Sequence, residues 1–494
     1  MEKKYLLAID QGTTSTRAII FNKNGDVIRQ VDREITQYYP HPGWVEHDAE
    51  EIYDKTLACL FDSIFEAKLS FGDIAAIGIT NQRETIVVWD KVTGKPVYHA
   101  IVWQSIQSKD IAEQMEENKE MIREKTGLII NPYFSATKLR WLFDTYPQLQ
   151  NRAENGELLC GTMDTWLLYN LTNGQVHATD YSNASRTLLL NIHTLKWDDE
   201  LLKLFNIPKC ILPEVKESSG IFGYINSNIT KEKIAISGIA GDQQASLFGQ
   251  CCYDIGSIKN TYGTGCFTLM NTGPKVIKSN YGLLSTIAWK INGQITYALE
   301  GSVFIAGAAV QWLRDELKII KNATDTEKYA VSQASSEGVY VVPAFTGLGT
   351  PYWDDGCKGA IFGLTRGSNK YILARATLES IAYQSKDVIE TMKKETKTKL
   401  KQLAVDGGAS SNSYLMQFQS DILNVKIILP STTQTTALGA AFLAGLGVGF
   451  YKDTKEIAKL RKLNCVYIPT MEKKEIQTLY KGWKNAIQAA RKFR

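Results

Sequence analysis

An apolar run, Tyr5-Leu6-Leu7-Ala8-Ile9, ends abruptly in Asp10-Gln11-Gly12-Thr13-Thr14-Ser15-Thr16-Arg17. A strand that stops at an acid, a glycine and a cluster of hydroxyls forms a loop suited to a nucleotide's phosphates and their metal. Gly12 lets the backbone approach closely. Thr13, Thr14 and Ser15 supply hydroxyl donors, and Arg17 supplies a fixed positive charge. Asp10 suits hydrated magnesium, which usually takes only one or two carboxylates. Arg17-Ala18-Ile19-Ile20-Phe21, a turn cluster at residues 22–26 and Val27-Ile28-Arg29-Gln30-Val31 follow, giving strand–loop–strand–turn–strand. A Walker loop or a dinucleotide fingerprint would open a helix instead; the chain has no GxxxxGK[ST], and no GxGxxG follows this strand. Taken alone, the segment fits an ordinary hairpin with a Thr- and Gly-rich turn equally well.

A chain of 494 residues has room for at least two domains and ample core. Its apolar content of 44% and charged content of 22% are those of a globular protein. A net charge of +4 is too small over this length to imply nucleic acid, and the basic end Arg491-Lys492-Phe493-Arg494 reads as a solvated helix end. Eight cysteines include no CxxC, which favours a reduced compartment over a disulfide framework. Five scattered histidines show no metal-ligand spacing. The apolar run after Met1-Glu2-Lys3-Lys4 stops at Asp10, too soon for a signal peptide. Residues 436–450 are apolar but shorter than a bilayer span, and their Ala and Gly suit a tightly packed buried helix. The expectation is a cytoplasmic protein with no membrane span.

Strands and helices interleave along the chain, which indicates α/β layers. Asp48 and Glu51 form a capping-box-like pattern before a helix whose apolar stripe is Tyr53, Leu57, Leu60, Phe61 and Ile64. Residues 74–79 form a buried strand that delivers Thr80-Asn81-Gln82-Arg83-Glu84 at its carboxyl end, where open α/β sheets place ligands. Residues 107–131 are charged and helical in pattern, as expected of a surface insertion. Residues 234–239 lead into Gly241-Asp242-Gln243, and a strand-like run ends in Tyr262-Gly263-Thr264-Gly265. Leu403-Ala404-Val405 leads into Asp406-Gly407-Gly408-Ala409, a weak echo of the strand–Asp–Gly element near the N-terminus. Ser411 can cap a helix bearing Leu415, Phe418 and Ile422, and the Gly-Gly junction leaves room for a flat adenine ring. Several such strand ends fit a cleft built from both halves around a nucleotide.

The segments IDQGTTSTRA, GITNQRET, AIVWQ, NPYFSATK, GDQQA, NTYGTGCF, YALEG, FTGLGTPYW, GLTRG, VDGGA and TALGAA together resemble the glycerol kinases. These are carbohydrate kinases with the actin/hexokinase-type ATPase fold. The resemblance runs from Tyr5 to about Trp483. It implies an α/β fold of two actin-like, ribonuclease H-like ATPase domains with a nucleotide cleft between them. Residues 1–250 would carry the phosphate loop and glycerol site, and residues 251–494 the adenine-nucleotide site. The implied reaction is ATP-dependent phosphorylation of glycerol to sn-glycerol 3-phosphate in glycerol uptake and catabolism, with Mg2+ as cofactor.

Carried over residue by residue, the resemblance assigns Thr13, Thr14, Ser15 and Arg17 to the phosphates. It assigns Thr264, Gly307, Gln311, Gly408 and Asn412 to the rest of the nucleotide. Arg83, Glu84, Tyr133, Asp242 and Gln243 would hold glycerol, with Trp103 and Phe267 as apolar walls. Asp242 would be the catalytic base, with Asp10 acting through magnesium and Arg17 beside it. An ordinary Asp, with a pKa of about 3.9, is a weak base. That is tolerable where the transition state is loose and charge stabilisation dominates. The partners implied are glycerol and ATP, no nucleic acid and, as a homo-oligomer, further copies of the chain in a dimer or tetramer.

Two departures stand out. Many relatives carry Arg where this chain has Ile106. Residues 217–237 contain neither the regulatory histidine of some Gram-positive relatives nor the Gly/Arg-rich loop that some enteric relatives use for fructose 1,6-bisphosphate. Neither regulation is expected. A kinase for xylulose or erythritol, or an actin-like or chaperone-like ATPase without a polyol pocket, are the competing expectations.

Overall fold

The computed structural model describes residues 3–493; Met1, Glu2 and Arg494, parts of the charged N-terminus and basic tail, lie outside the described residues. A six-stranded sheet contains β1 (Tyr5–Gln11), β2 (Ser15–Asn22), β3 (Val27–Glu34), β4 (Ile74–Asn81), β5 (Ser219–Tyr224) and β6 (Ala235–Gly241), ordered β5-β6-β4-β1-β2-β3. A seven-stranded sheet contains β7 (Ile258–Tyr262), β8 (Cys266–Gly273), β9 (Leu284–Ile291), β10 (Gln294–Val303), β11 (Gln402–Asp406), β12 (Lys426–Pro430) and β13 (Leu463–Tyr467), ordered β9-β10-β8-β7-β11-β12-β13.

The two sheets share one plan. β3-β2-β1 is an antiparallel meander, and β1, β4 and β6 run parallel. β10-β8-β7 is likewise antiparallel, and β7, β11 and β12 run parallel. The halves are therefore topological duplicates. The counterpart of the Gly12–Thr14 turn is Gly263–Gly265, and both close with a backbone hydrogen bond of 2.9 Å, Gly12 N to Ser15 O and Gly263 N to Gly265 O. The expected echo at Asp406 is thereby corrected: Asp406 ends β11, the counterpart of β4.

The strands follow their sequence. β1 and β4 are apolar runs covered on both faces, whereas the edge strand β3 is polar and largely exposed. In α1 (Ala49–Glu66), the Asp48 carboxylate accepts from the N–H groups of Glu50 and Glu51. Glu51 does not close a capping box; its carboxylate turns to Thr36 and Lys55. The buried stripe is Ile52, Thr56, Cys59, Leu60, Ser63 and Ile64, and Phe61 points outward against Phe71. Residues 107–131 are more than a surface insertion: Arg123 donates to Ser279 O at 2.6 Å and Gly127 O accepts from Ser285 N at 2.9 Å, tying this segment to the second half.

Three further helices set the centre of the molecule: α2 (Asp242–Gly249), α3 (Ser413–Leu423) and α4 (Thr435–Gly447). The cap of α3 is Asn412, whose side chain accepts from Leu415 N at 2.9 Å, and not Ser411. The α4 helix is the buried Ala/Gly segment expected from composition, and it packs against β4, β6 and α2. Glycines permit that approach. A Cβ on Gly439 would lie 1.8 Å from Ala245 O, and one on Gly249 would lie 2.0 Å from Thr435 O. We expect Gly439→Ala to destabilise the fold by roughly 1–3 kcal/mol, the usual cost of overpacking; an unchanged urea-unfolding midpoint would contradict this packing. Among the described residues, no helix is long and apolar enough to cross a membrane.

Candidate active site

The parallel strands of the first sheet converge on one rim. Register sets Asp10 beside Thr80, and Gly241 beside Asn81. Asp10, the Gln82–Glu84 turn and Asp242 thus leave neighbouring carboxyl ends, where open α/β sheets bind ligands.

The Gly12–Thr14 turn is braced from behind. Gln82 Nε2 donates to Gly12 O at 3.3 Å, and Gln37 Nε2 donates to Thr13 O at 2.9 Å. His47 lies between these glutamines, with Nε2 2.9 Å from Gln37 Oε1 and Nδ1 3.3 Å from Gln82 Nε2. Burial lowers its pKa to about 4, which keeps the ring neutral. Gln82 belongs to the strand end read from the sequence, whereas Gln37 and His47 leave no local signal there, because they touch the loop only through the fold. On the front, Trp103 Nε1 donates to Thr13 Oγ1 at 2.9 Å, and Arg17 Nη2 donates to Ser15 Oγ at 3.3 Å. Thr14 is exposed. The hydroxyls therefore stay available to a ligand.

Asp10 is nearly covered, and burial raises its carboxyl above the ordinary value, with Arg17 opposing. Its nearest cation, Arg17 Nε, is 3.9 Å away, and among the described residues no group donates a hydrogen bond to the carboxylate. A buried, under-compensated carboxylate at a phosphate-type loop fits a hydrated divalent cation. Among the described residues no cluster of three or more His, Cys, Asp or Glu could hold a metal, so a cation here would rely on phosphate and water for its other ligands.

The acceptor candidates meet at Arg83, which is buried. Its Nη1 and Nη2 donate to Glu300 Oε2 at 2.6 Å and Oε1 at 3.0 Å, and Nη1 also reaches Gln244 Oε1 at 3.2 Å. Its Nε lies 3.3 Å from Asp242 Oδ1 and 3.7 Å from Glu84 Oε1. Arg186, fully buried, donates from Nε to Glu84 Oε1 at 2.6 Å and from Nη2 to Glu300 Oε1 at 3.1 Å. Burial alone would raise the Glu300 carboxyl, but Arg186 and Arg83 hold it at about 2. Glu84 sits in the left-handed region with φ +63°, and Thr85 N donates to Arg83 O at 2.7 Å across it. That tight, strained turn is held by Ser135 Oγ, which donates to Glu84 O at 3.0 Å.

Asp242 opens α2, with 32% of its side chain exposed. Its Oδ1 takes the Gln243 N–H at 2.7 Å and faces Arg83, which leaves Oδ2 as the free edge. Burial raises its carboxyl, Arg83 and Lys259 oppose this, and Asp10 adds to it. Asp242 is thus a stronger base than an ordinary aspartate. Gln243 accepts from the buried Lys259 Nζ. Tyr133 meets Trp103 edge-on at 5.6 Å, and its loop is held by Lys138 Nζ, which donates to Pro132 O at 2.7 Å and Phe134 O at 3.2 Å. Phe267 lies on β8 opposite Thr261 and Ser302; among the described residues it makes no hydrogen bond or ring contact with the acceptor cluster.

The nucleotide candidates gather at the second hairpin. Thr264 O accepts from Ala306 N at 2.8 Å and Ala308 N at 3.1 Å, and Gly263 O accepts from Gly307 N at 3.0 Å. Gly307 begins the helix Gly307–Asp315, on which Gln311 is exposed. Gly407 adopts φ +87°, and a Cβ there would lie 2.5 Å from Tyr262 O, so β11 closes tightly on the start of the hairpin. A Cβ on the next residue, Gly408, would meet nothing within 4 Å. Asn412, at the cap of α3, reaches Thr326 Oγ1 at 3.4 Å. Ile106 is 49% exposed and rests on Gly43, where its N–H donates to Gly43 O at 3.0 Å.

Residues 5–249 match the N-terminal domain of the FGGY family of carbohydrate kinases, and residues 258–448 match its C-terminal domain. The glycerol kinase of Bacillus licheniformis is 56% identical, with all of both chains covered. The Plasmodium falciparum glycerol kinase solved with ADP superposes with a TM-score of 0.93 at 37% identity, covering 98% of each chain. A ligand-bound xylulose kinase from Lactobacillus acidophilus superposes with a TM-score of 0.88 at 26% identity, covering 99% of this chain and 100% of its own.

Proposed function

The chain belongs to the FGGY family of carbohydrate kinases, and we propose that its reaction is transfer of the γ-phosphoryl group of ATP to a terminal hydroxyl of glycerol. The observation that carries this reading is a pair of free carboxylate edges, Glu84 Oε2 and Asp242 Oδ2, set around one arginine beside the Asp10 hairpin. A small triol needs such a set: acceptor edges for its O–H groups, a donor between them, and a base at the reacting oxygen. The full-length likeness to glycerol kinases supports the same choice over a sugar kinase.

In this reading Glu84 Oε2 accepts one glycerol hydroxyl, and the uncommitted N–H of Arg83 donates to another. Asp242 Oδ2 accepts the proton of the reacting hydroxyl as its oxygen bonds to the γ-phosphorus and the bond to the β–γ bridging oxygen breaks, releasing ADP. Positioning and charge stabilisation supply most of the acceleration in such transfers. Thr13, Thr14, Ser15 and Arg17 hold the transferring phosphate, while Thr264, Gly307, Gln311, Gly408 and Asn412 line the rest of the nucleotide. Trp103, Tyr133 and Phe267 cover the carbon chain and exclude competing water. Asp10 would hold Mg2+, which would neutralise phosphate charge when bound. Eight free cysteines support a cytoplasmic setting.

A coupled ADP-release assay with glycerol, dihydroxyacetone, erythritol and xylulose tests the reading. Glycerol should give the highest kcat/KM, and chelation of divalent cations should abolish turnover. ATP turnover that no polyol stimulates, or a preference for xylulose, would sink it. A pH profile adds a check with a fixed sign. The base works ionised, and burial raises its carboxyl. Turnover should therefore fall on acidification at a pH above the ordinary aspartate value of about 3.9. An acid limb at or below that value would contradict the role given to Asp242.

A further inference from the structure

Arg83, Glu84, Arg186 and Glu300 form a closed ring of alternating charge, with side chains no more than 2% exposed. Arg83 and Glu84 come from the turn after β4, Arg186 follows the short helix Tyr181–Ala184, and Glu300 lies on β10 of the second sheet. The ring thus draws on both sheets and carries no net charge.

Its geometry is directional. Both arginines approach Glu84 on Oε1, so the ring consumes one edge of that carboxylate and spares the other. Glu300 takes both terminal nitrogens of Arg83, which turns the remaining edge of the guanidinium toward Glu84 and Asp242. Arg186 lies over the rings of Tyr133 and Phe134, with its carbon 5.9 and 5.2 Å from their centres. It therefore touches a third acceptor candidate as well. The strained turn at Glu84 needs such over-determination to persist.

We propose that Arg186 and Glu300 are positioning residues for the acceptor, acting through Glu84 and Arg83 and not on the substrate itself; the proposal rests on the glycerol reading above. Losing either one frees the facing edges of Glu84 and Arg83 to rotate, and errors of about 1 Å in such groups can cost about 100-fold in rate. The consequence falls on the polyol and spares the nucleotide.

The test uses the full-length enzyme with Arg186→Lys and Glu300→Asp, which keep charge but lose the fork or its reach. Each variant is compared with wild type for kcat and KM toward glycerol and ATP, for the ratio of glycerol to propane-1,2-diol turnover, and for melting temperature. Expected is a fall of about 10- to 100-fold in kcat/KM for glycerol, with a narrowed glycerol preference and an unchanged KM for ATP. A folded variant with wild-type glycerol kinetics, or one whose KM for ATP rises in step with that for glycerol, overturns the proposal. Variants that do not fold would assign the ring to stability and overturn it too. Wild-type enzyme without glycerol-dependent turnover would instead sink the functional reading, so the two failures are separable.

Discussion

Asp242→Asn is expected to lower glycerol-dependent turnover by about 10²- to 10⁴-fold, the range attributed to a positioned general base, with nucleotide affinity little changed. Asn keeps the size of the side chain and can still accept the Gln243 N–H in the first turn of α2. It cannot take a proton at Oδ2. The same change makes a second prediction that separates lost chemistry from lost folding. Burial raises the Asp242 carboxyl, so the native state holds that proton more tightly than the unfolded chain. Stability from a raised carboxyl is lost as pH rises through the folded value, and at neutral pH the ionised group opposes folding. The inactive variant should therefore melt no lower than wild type at neutral pH. A variant that keeps near-normal turnover ends the base assignment; one that melts much lower shows that Asp242 contributes stability.

Arg83→Ala should be the more damaging substitution overall. Of the five N–H donors of a guanidinium, those of Arg83 serve Glu300 twice and Gln244 once, and Nε faces Asp242 and Glu84. Its removal leaves Glu300 in the interior with only Arg186. Breaking a buried pair from one side typically costs 3–5 kcal/mol, or about that here. Loss of the substrate-facing donor and of the order it imposes should lower kcat/KM for glycerol by at least about 100-fold. Burial of the arginine adds this stability cost to the loss of glycerol binding. Urea unfolding together with glycerol and ATP kinetics checks both parts. Wild-type stability would contradict the ring, and an unchanged glycerol KM would contradict the acceptor site.

What could be read from the sequence is what is written locally. The Asp10 hairpin announces itself because an apolar strand, an acid, a glycine and hydroxyls are consecutive. Arg83, Glu84 and Asp242 are legible because each stands directly after a buried strand, at the position where parallel sheets present ligands. The Ala/Gly run of α4 declared a tightly packed helix. Arg186 and Glu300 are different. Arg186 sits among hydroxyls and Glu300 inside an apolar strand, and their partners lie more than a hundred residues away along the chain. Only the meeting of the two sheets makes the pairing visible. Gln37 and His47 escape on a shorter scale: their contacts to the hairpin turn and to Gln82 span 10 to 35 residues and exist only once the first half has folded. The cap of α3 moved from Ser411 to Asn412 because residues 408–411 first wind a short 3₁₀ turn, which local preference does not reveal. The duplicated topology was also obscured: the matching hairpins Gly12–Thr14 and Gly263–Gly265 share backbone geometry more than residues.

The most direct test is phosphorus NMR of the wild-type enzyme with Mg2+, ATP and glycerol, following nucleotide and product together. Equimolar appearance of ADP and glycerol 3-phosphate, with negligible inorganic phosphate, is the result expected of a cleft that aligns a glycerol hydroxyl with the γ-phosphate and excludes water. ADP accompanied by inorganic phosphate, or by no phosphorylated glycerol, would contradict it.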